Sequence, residues 1–191
     1  MTLHDLVFKS RSYRKFNEQE AVSRQQLVDL VELARLSPSG ANLQPLKYLL
    51  AYETETNQKI FDCLRWAAYL KDWDGPQPGE RPAAYIVILA DTHIRTESSH
   101  DQGIAAQSIM LGATEMQLGG CMIANIHRNL LQQVLNIPQH LHIALVLALG
   151  KPAETIIVEE IKDNNIRYWR DNDGVHHVPK RNIEDIIFAS P

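Results

Sequence analysis

The sequence predicts a single domain that mixes helices with a central sheet, and three observations carry this. Segments 46–52, 83–90 and 141–150 are short and almost continuously apolar, the pattern of strands covered on both faces. Between them apolar residues recur at helical spacing, most clearly Leu27, Leu30, Val31 and Ala34 behind the capping box Ser23-Arg24-Gln25-Gln26. Finally, 191 residues are enough for one sizeable core and few for two, so 1–191 is read as one domain.

Taken in order, Thr2-Leu3-His4-Asp5 is a capping box that opens a short helix with Leu3, Leu6 and Val7 on one face. Next comes Ser10-Arg11-Ser12-Tyr13-Arg14-Lys15-Phe16. Three cations with a hydroxyl between them are either a solvated basic patch or an anion site, because guanidinium forks pair bidentately with phosphate. Helix 23–36 is expected to stop ahead of Pro38. In the turn that follows, Gly40 is placed for a positive φ, and Ser39, Asn42 and Gln44 offer groups that suit a flat heterocycle. A plain helix-to-strand turn is the alternative.

After strand 46–52, Ile60, Phe61, Leu64 and Ala68 predict a helix over 56–69. Residues 71–82 form the longest irregular stretch and could cover a pocket. Helix 98–118 carries small and apolar residues on several faces, so it is expected to be buried all round, partly by a second copy of the chain. Gly119-Gly120 is read as its stop, through a left-handed residue, and 121–124 as an apolar segment whose backbone could face a ligand. A short helix over 128–135 precedes strand 141–150. In the tail, Asp171-Asn172-Asp173-Gly174 predicts a hairpin over 166–178. Pro179-Lys180-Arg181 is a second basic cluster, followed by a short amphipathic segment through Ile183, Ile186 and Ile187.

Several function classes drop out. A net charge of -4 argues against a nucleic-acid binder. No run reaches the roughly 18 apolar residues of a membrane span, and the first residues lack the features of a signal peptide, so a cytoplasmic protein is expected. Cys63 and Cys121 are isolated and are read as reduced thiols. His140 and His142 would share a strand face, but no third ligand is evident and no metal is assigned. Neither GxGxxG nor GxxxxGK[ST] nor GxSxG occurs.

What remains is two basic clusters, a polar amide loop and a glycine-flanked apolar segment, which together describe a ligand with a phosphate at one end and a hydrogen-bonding ring at the other. With these residues the chain resembles the nitroreductase family of FMN-dependent oxidoreductases. Arg11-Ser12-Tyr13-Arg14-Lys15-Phe16 is similar to its R-S-x-R-x-F signature, and Pro38-Ser39-Gly40-Ala41-Asn42-Leu43-Gln44-Pro45 to its P-S-x-x-N-x-Q-P loop. Gly103-Ile104-Ala105-Ala106-Gln107-Ser108 with Leu118-Gly119-Gly120-Cys121 looks like its central helix and glycine exit, and Ala148-Leu149-Gly150-Lys151-Pro152 like its A-L-G-x-P strand end.

The resemblance implies an α+β fold: a three-layer α/β/α sandwich with a mixed, mainly antiparallel central sheet, in an interlocked homodimer with flavins at the interface. It implies FMN as cofactor, NAD(P)H and a small electron-poor acceptor as partners, and no catalytic side chain. Arg11, Ser12 and Arg14 would hold the phosphate, with Lys180 or Arg181 adding charge. Pro38, Ser39 and Gly40 would line the ring from the other subunit, Asn42 and Gln44 from their own, and Met122, Ile123 and Ala124 would present backbone near its reactive edge. The chain departs from the family pattern at Ser10, where many members are basic, at Leu46, where tryptophan is frequent, and in the long 166–178 hairpin. The same fold also carries other flavin chemistry, such as dehalogenation, and flavin-binding regulators without turnover.

Overall fold

The computed structural model of the protein describes residues 1–188. Helix α1 (Leu3–Lys9) and α2 (Arg24–Leu36) begin at the two expected capping boxes, and α2 ends one residue before Ser37 and Pro38. Between them lies β1 (Phe16–Asn17), and after them β2 (Leu46–Ala51), α3 (Thr54–Asp62) and β3 (Ala84–Asp91). The chain continues through α4 (Ser99–Glu115), β4 (Gly119–Ile123), α5 (Arg128–Val134) and β5 (Leu141–Pro152). It closes with β6 (Ile156–Glu160), β7 (Trp169–Arg170), β8 (His176–Lys180) and α6 (Ile183–Ile186).

The main sheet is organised on β5, which pairs with β3 on one side and with β4 and then β1 along the other. β2 completes it beyond β3, and every strand pair in it is antiparallel. Alternation sends side chains to two separate cores. Ile86, Ile88, Leu147 and Leu149 meet Leu27 and Leu30 of α2 and Ile109 of α4, whereas Tyr85, Val87, Val146 and Ala148 meet Ile60 of α3 and Leu131 of α5. All of β3 is buried, as its continuous apolar run requires. β2 is less so: it is an edge strand in this chain, with Lys47 exposed.

Three features differ from the sequence expectations. The third helix stops at Asp62, because the chain turns to bury Leu64, which bridges Ile126, and Trp66, and Ala67 takes a φ of 39°. Gly119 and Gly120 do not stop α4; Gln117 adopts the left-handed conformation (φ 59°), and the glycines begin β4. Their lack of a side chain serves packing instead, since a Cβ on Gly120 would lie 2.6 Å from the Ala148 carbonyl oxygen. The tail hairpin forms, with Gly174 at φ 78°, but β8 also takes β6 as a parallel neighbour to make a second, three-stranded sheet. Within the single chain α4 leaves Gly103, Ile104 and Gln107 exposed, so its own chain supplies only part of the expected cover.

Residues 71–82 are held rather than loose, with Phe16 N donating to Glu80 O at 2.9 Å and Arg170 stacked 4.4 Å over Trp73. Cys63 and Cys121 are buried free thiols. Among the described residues no helix is long and apolar enough to cross a membrane.

Candidate functional site

The N-terminal basic cluster is a strap along the edge of β4. Tyr13 N donates to Gly120 O at 2.9 Å, and Ser12 bridges Gly120 in parallel sense. This places Arg11, Ser12 and Arg14 on one wall of a cavity of about 360 Å³. Gln107 and Met110 of α4 and Met122 of β4 form its floor, and Tyr168, just ahead of β7, with His176 and Lys180 of β8 closes it. The two basic clusters, from opposite ends of the chain, therefore meet.

Glu154 ties this wall together. Its Oε1 accepts from Arg14 N and, at 3.2 Å, from Lys15 N, while Oε2 pairs with Arg170 Nη2 at 2.9 Å; its side chain is 2% exposed. The Arg14 guanidinium donates to Ser12 O at 3.2 Å, lies 4.6 Å over the Tyr168 ring and has Nη1 3.3 Å from His176 Nε2. Arginine has only donors, so His176 Nε2 is the acceptor and its proton sits on Nδ1. Burial, with Arg14 and Arg170 beside it, pushes the His176 pKa down to about 4. The imidazole is thus neutral, and Nδ1 has no hydrogen-bond partner among the described residues.

Arg11 is held by a 2.6 Å bond from Nη2 to Val7 O, but its buried Nε has no partner among the described residues. Arg11, Arg14 and Lys180 line the cavity with no carboxylate among the lining residues. Such a donor set fits a phosphate. At the cavity floor, the Gly120 carbonyl points away from β5 toward Tyr13, so strand alternation turns the Met122 N–H and C=O the same way. Ile123 differs: its main chain faces β5 and its side chain is buried in the core. The Ala124 carbonyl accepts from Arg128 Nη2 at 3.1 Å.

The amide loop is organised by Asp101 in the first turn of α4. Asp101 Oδ2 accepts from Ser39 Oγ at 2.7 Å and Oδ1 from Gly40 N at 3.0 Å. Burial raises this carboxyl's pKa, but the Gly40 N–H, the Ser39 hydroxyl and Arg95 outweigh it and hold the group below the usual carboxylate range. Gly40 does not take the positive φ; Ala41, Asn42 and Gln44 do, at 50°, 56° and 52°. A Cβ at 40 would meet only Arg95 Nη1 below 3.0 Å, at 2.5 Å, the end of a flexible side chain that can shift, so neither φ nor packing demands glycine there.

Pro38, Ser39 and Gln44 line a second cavity of about 360 Å³, with Tyr48 and Asp101, that shares no residue with the first. Within one chain the structure therefore gathers Arg11, Ser12, Arg14, Met122 and Lys180. It does not bring the 38–44 loop to them, and Arg181 points to Asn164 Oδ1 at 3.4 Å outside the cavity. Glu154, Tyr168, His176 and Asp101 are absent from the sequence-based site, because each acts on a segment remote in the chain and carries no local motif.

A model of the nitroreductase family matches residues 8–151. The chain belongs to the nitroreductase family. Members of this family are oxidoreductases that generally bind flavin. The match ends before β6, so Tyr168, His176 and Lys180 lie beyond the part shared with the family model. A nitroreductase family protein of Streptococcus pneumoniae superposes with a TM-score of 0.73 at 14% identity, over 99% of this chain and 100% of that one. An FMN-dependent nitroreductase of Clostridium difficile R20291 gives 0.65 at 25% identity, covering 85% and 92%. In sequence, a Methanothermobacter thermautotrophicus protein provisionally named an NADH dehydrogenase/NAD(P)H nitroreductase is 25% identical over 162 residues, 81% of this chain and 79% of its own. An iodotyrosine deiodinase of Thermotoga neapolitana is 23% identical over 167 residues, 78% of this chain and 88% of its own.

Proposed function

We propose that the protein is a cytoplasmic FMN-dependent oxidoreductase that passes hydride from NAD(P)H to an electron-poor acceptor, such as a nitroaromatic or quinone, in a ping-pong cycle. The observation that carries this is the cavity itself: three cations and an orphaned Arg11 Nε, no carboxylate, and the outward main chain of Met122 beside them. FMN supplies the hydride chemistry at its N5 when bound. The chain's own residues bind and orient. Arg11, Ser12, Arg14 and Lys180 take the phosphate, Glu154 and His176 keep Arg14 aimed, and Met122 offers N–H and C=O to the ring edge.

We assign the ring clamp to a partner subunit in an interlocked homodimer. Support comes from α4, which sends Asp101 and Ala105 to one cavity and Gln107 and Met110 to the other, and leaves Gly103 and Ile104 uncovered between them. Asn42 and Gln44 sit on the same loop as Pro38, Ser39 and Gly40, with Gln44 N bound to Ser39 Oγ at 2.9 Å, so they are proposed to arrive with that loop from the partner rather than from their own subunit. The separate cores on the two sheet faces support the layered α/β/α arrangement. Likeness to the deiodinase favours reductive dehalogenation as the second reading of the acceptor.

The test is to purify the protein, identify its flavin and add NADH or NADPH without oxygen. Bleaching of the flavin, and reoxidation by a quinone or nitro compound, is expected; reoxidation by a halogenated phenol alone selects the second reading. A yellow protein that neither nicotinamide reduces overturns the enzyme assignment. Arg14→Ala is expected to weaken FMN binding by roughly tenfold to a hundredfold, the worth of one or two charge-assisted bonds, and an unchanged affinity sinks the phosphate assignment.

A further inference from the structure

β3 ends beside the start of β5, with Asp91 opposite Leu141, and the turn that follows brings His93 to Asp91 and His140, three side chains of types that can ligate a metal. Ile94 N and Arg95 N both donate to Asp91 O at 3.1 Å, while Thr92 N and Thr92 Oγ1 both donate to His140 O at 2.9 Å. These bonds fix His93 in the turn beside His140 at the start of β5. The two imidazoles stack with centroids 4.4 Å apart and planes 3° from parallel. Ligand atoms of Asp91, His93 and His140 all lie within 4.8 Å of one another. Asp91 Oδ1 accepts from His93 N at 3.0 Å, which ties the carboxylate to the turn that carries His93.

We propose that Asp91, His93 and His140 bind one divalent transition-metal ion of the zinc type. Two imidazole nitrogens and one carboxylate oxygen are a donor set that borderline ions accept, and three protein ligands leave room for water at the remaining position. Metal bonds of about 2.0–2.2 Å put ligand atoms roughly 3–3.5 Å apart, so the trio contracts on binding. An ion cannot lie in the planes of two parallel rings, hence the stack must open, and the exposed His93 is the ring that turns. His142 is not part of the site: it faces Ala90 in the ladder, outside the trio. The ion fastens the turn after β3 to the start of β5. Arg95 of that turn lies against Gly40, so the metal also steadies one support of the 38–44 loop.

Untagged protein, stripped with chelator and dialysed, is titrated with Zn²⁺ and in parallel with Co²⁺, whose visible absorption reports its ligands. Equimolar uptake of both ions is expected, with a rise in the thermal midpoint. His93→Ala and His140→Ala should each weaken binding roughly tenfold or more, while His142→Ala binds like the parent. Absence of uptake by the parent protein, uptake that survives either of the first two substitutions, or uptake abolished by His142→Ala overturns the proposal.

Discussion

Arg14 shows how far a charged residue depends on its surroundings. Its main chain is held by Glu154 and its guanidinium by Ser12 O and a neutral His176. That neutrality makes the fold sensitive to acid. Unfolded chain takes up a proton near the ordinary pKa of 6.5, whereas the folded imidazole resists until about 4. Between those values the unfolded state binds more protons, so stability falls as pH drops through the window, by at most about 3 kcal/mol, and is fully present above it. Asp101 has the opposite chemistry but the same direction, its lowered carboxyl losing stability only further into acid. Urea midpoints followed from neutral pH into this window are expected to fall in the parent and to flatten in His176→Asn; an equal slope in both places the acid sensitivity on another group.

At the scale of elements, β4 couples the strap to the centre of the sheet. Gly120 sits between them, its carbonyl taken by Tyr13 N and its Cα facing the Ala148 carbonyl oxygen of β5. The Ala148 carbonyl cannot yield, because it is backbone of the strand that pairs with β3, β4 and β1. Gly120→Ala is therefore expected to destabilise the protein by about 1–3 kcal/mol, the usual cost of overpacking, and to loosen the proposed FMN although residue 120 is not among those that line its cavity. Thermal unfolding and flavin titration check this, and a variant as stable and as yellow as the parent refutes it. The paired glycines were legible as a break after α4, yet their reason was not: a turn and a close approach select the same residue.

At the scale of the whole molecule, the single chain leaves several apolar side chains of its helices exposed. Leu3 and Phe8 of α1 are 68% and 57% exposed, Ile104 of α4 is 40%, and Ile183 and Ile186 of α6 are 57% and 61%. If α4 is the dimer seam, Ile104→Glu buries an unpaired carboxylate from each copy, a cost of several kcal/mol. Light scattering is expected to show a monomer that has lost its flavin, since the loop proposed to cap the ring comes from the partner. A flavin-bearing dimer of Ile104→Glu removes this face from the interface.

The sequence by itself determined what short-range energetics decide. The capping boxes set the starts of α1 and α2, the continuous apolar runs of β3 and β5 required a sheet buried on both faces, and the Asp-Asn-Asp-Gly turn set the hairpin. The ordered motifs carried the family. Only the tertiary structure decided that α3 stops at Asp62, that β6 joins the hairpin in a second sheet, and that Glu154 reaches Arg14. The same holds for His140, whose ring stacks on His93 with Asp91 close by, while His142 lies outside that cluster. These outcomes depend on which distant segments are brought side by side, and a lone carboxylate or imidazole carries no periodicity or spacing from which its partner can be read.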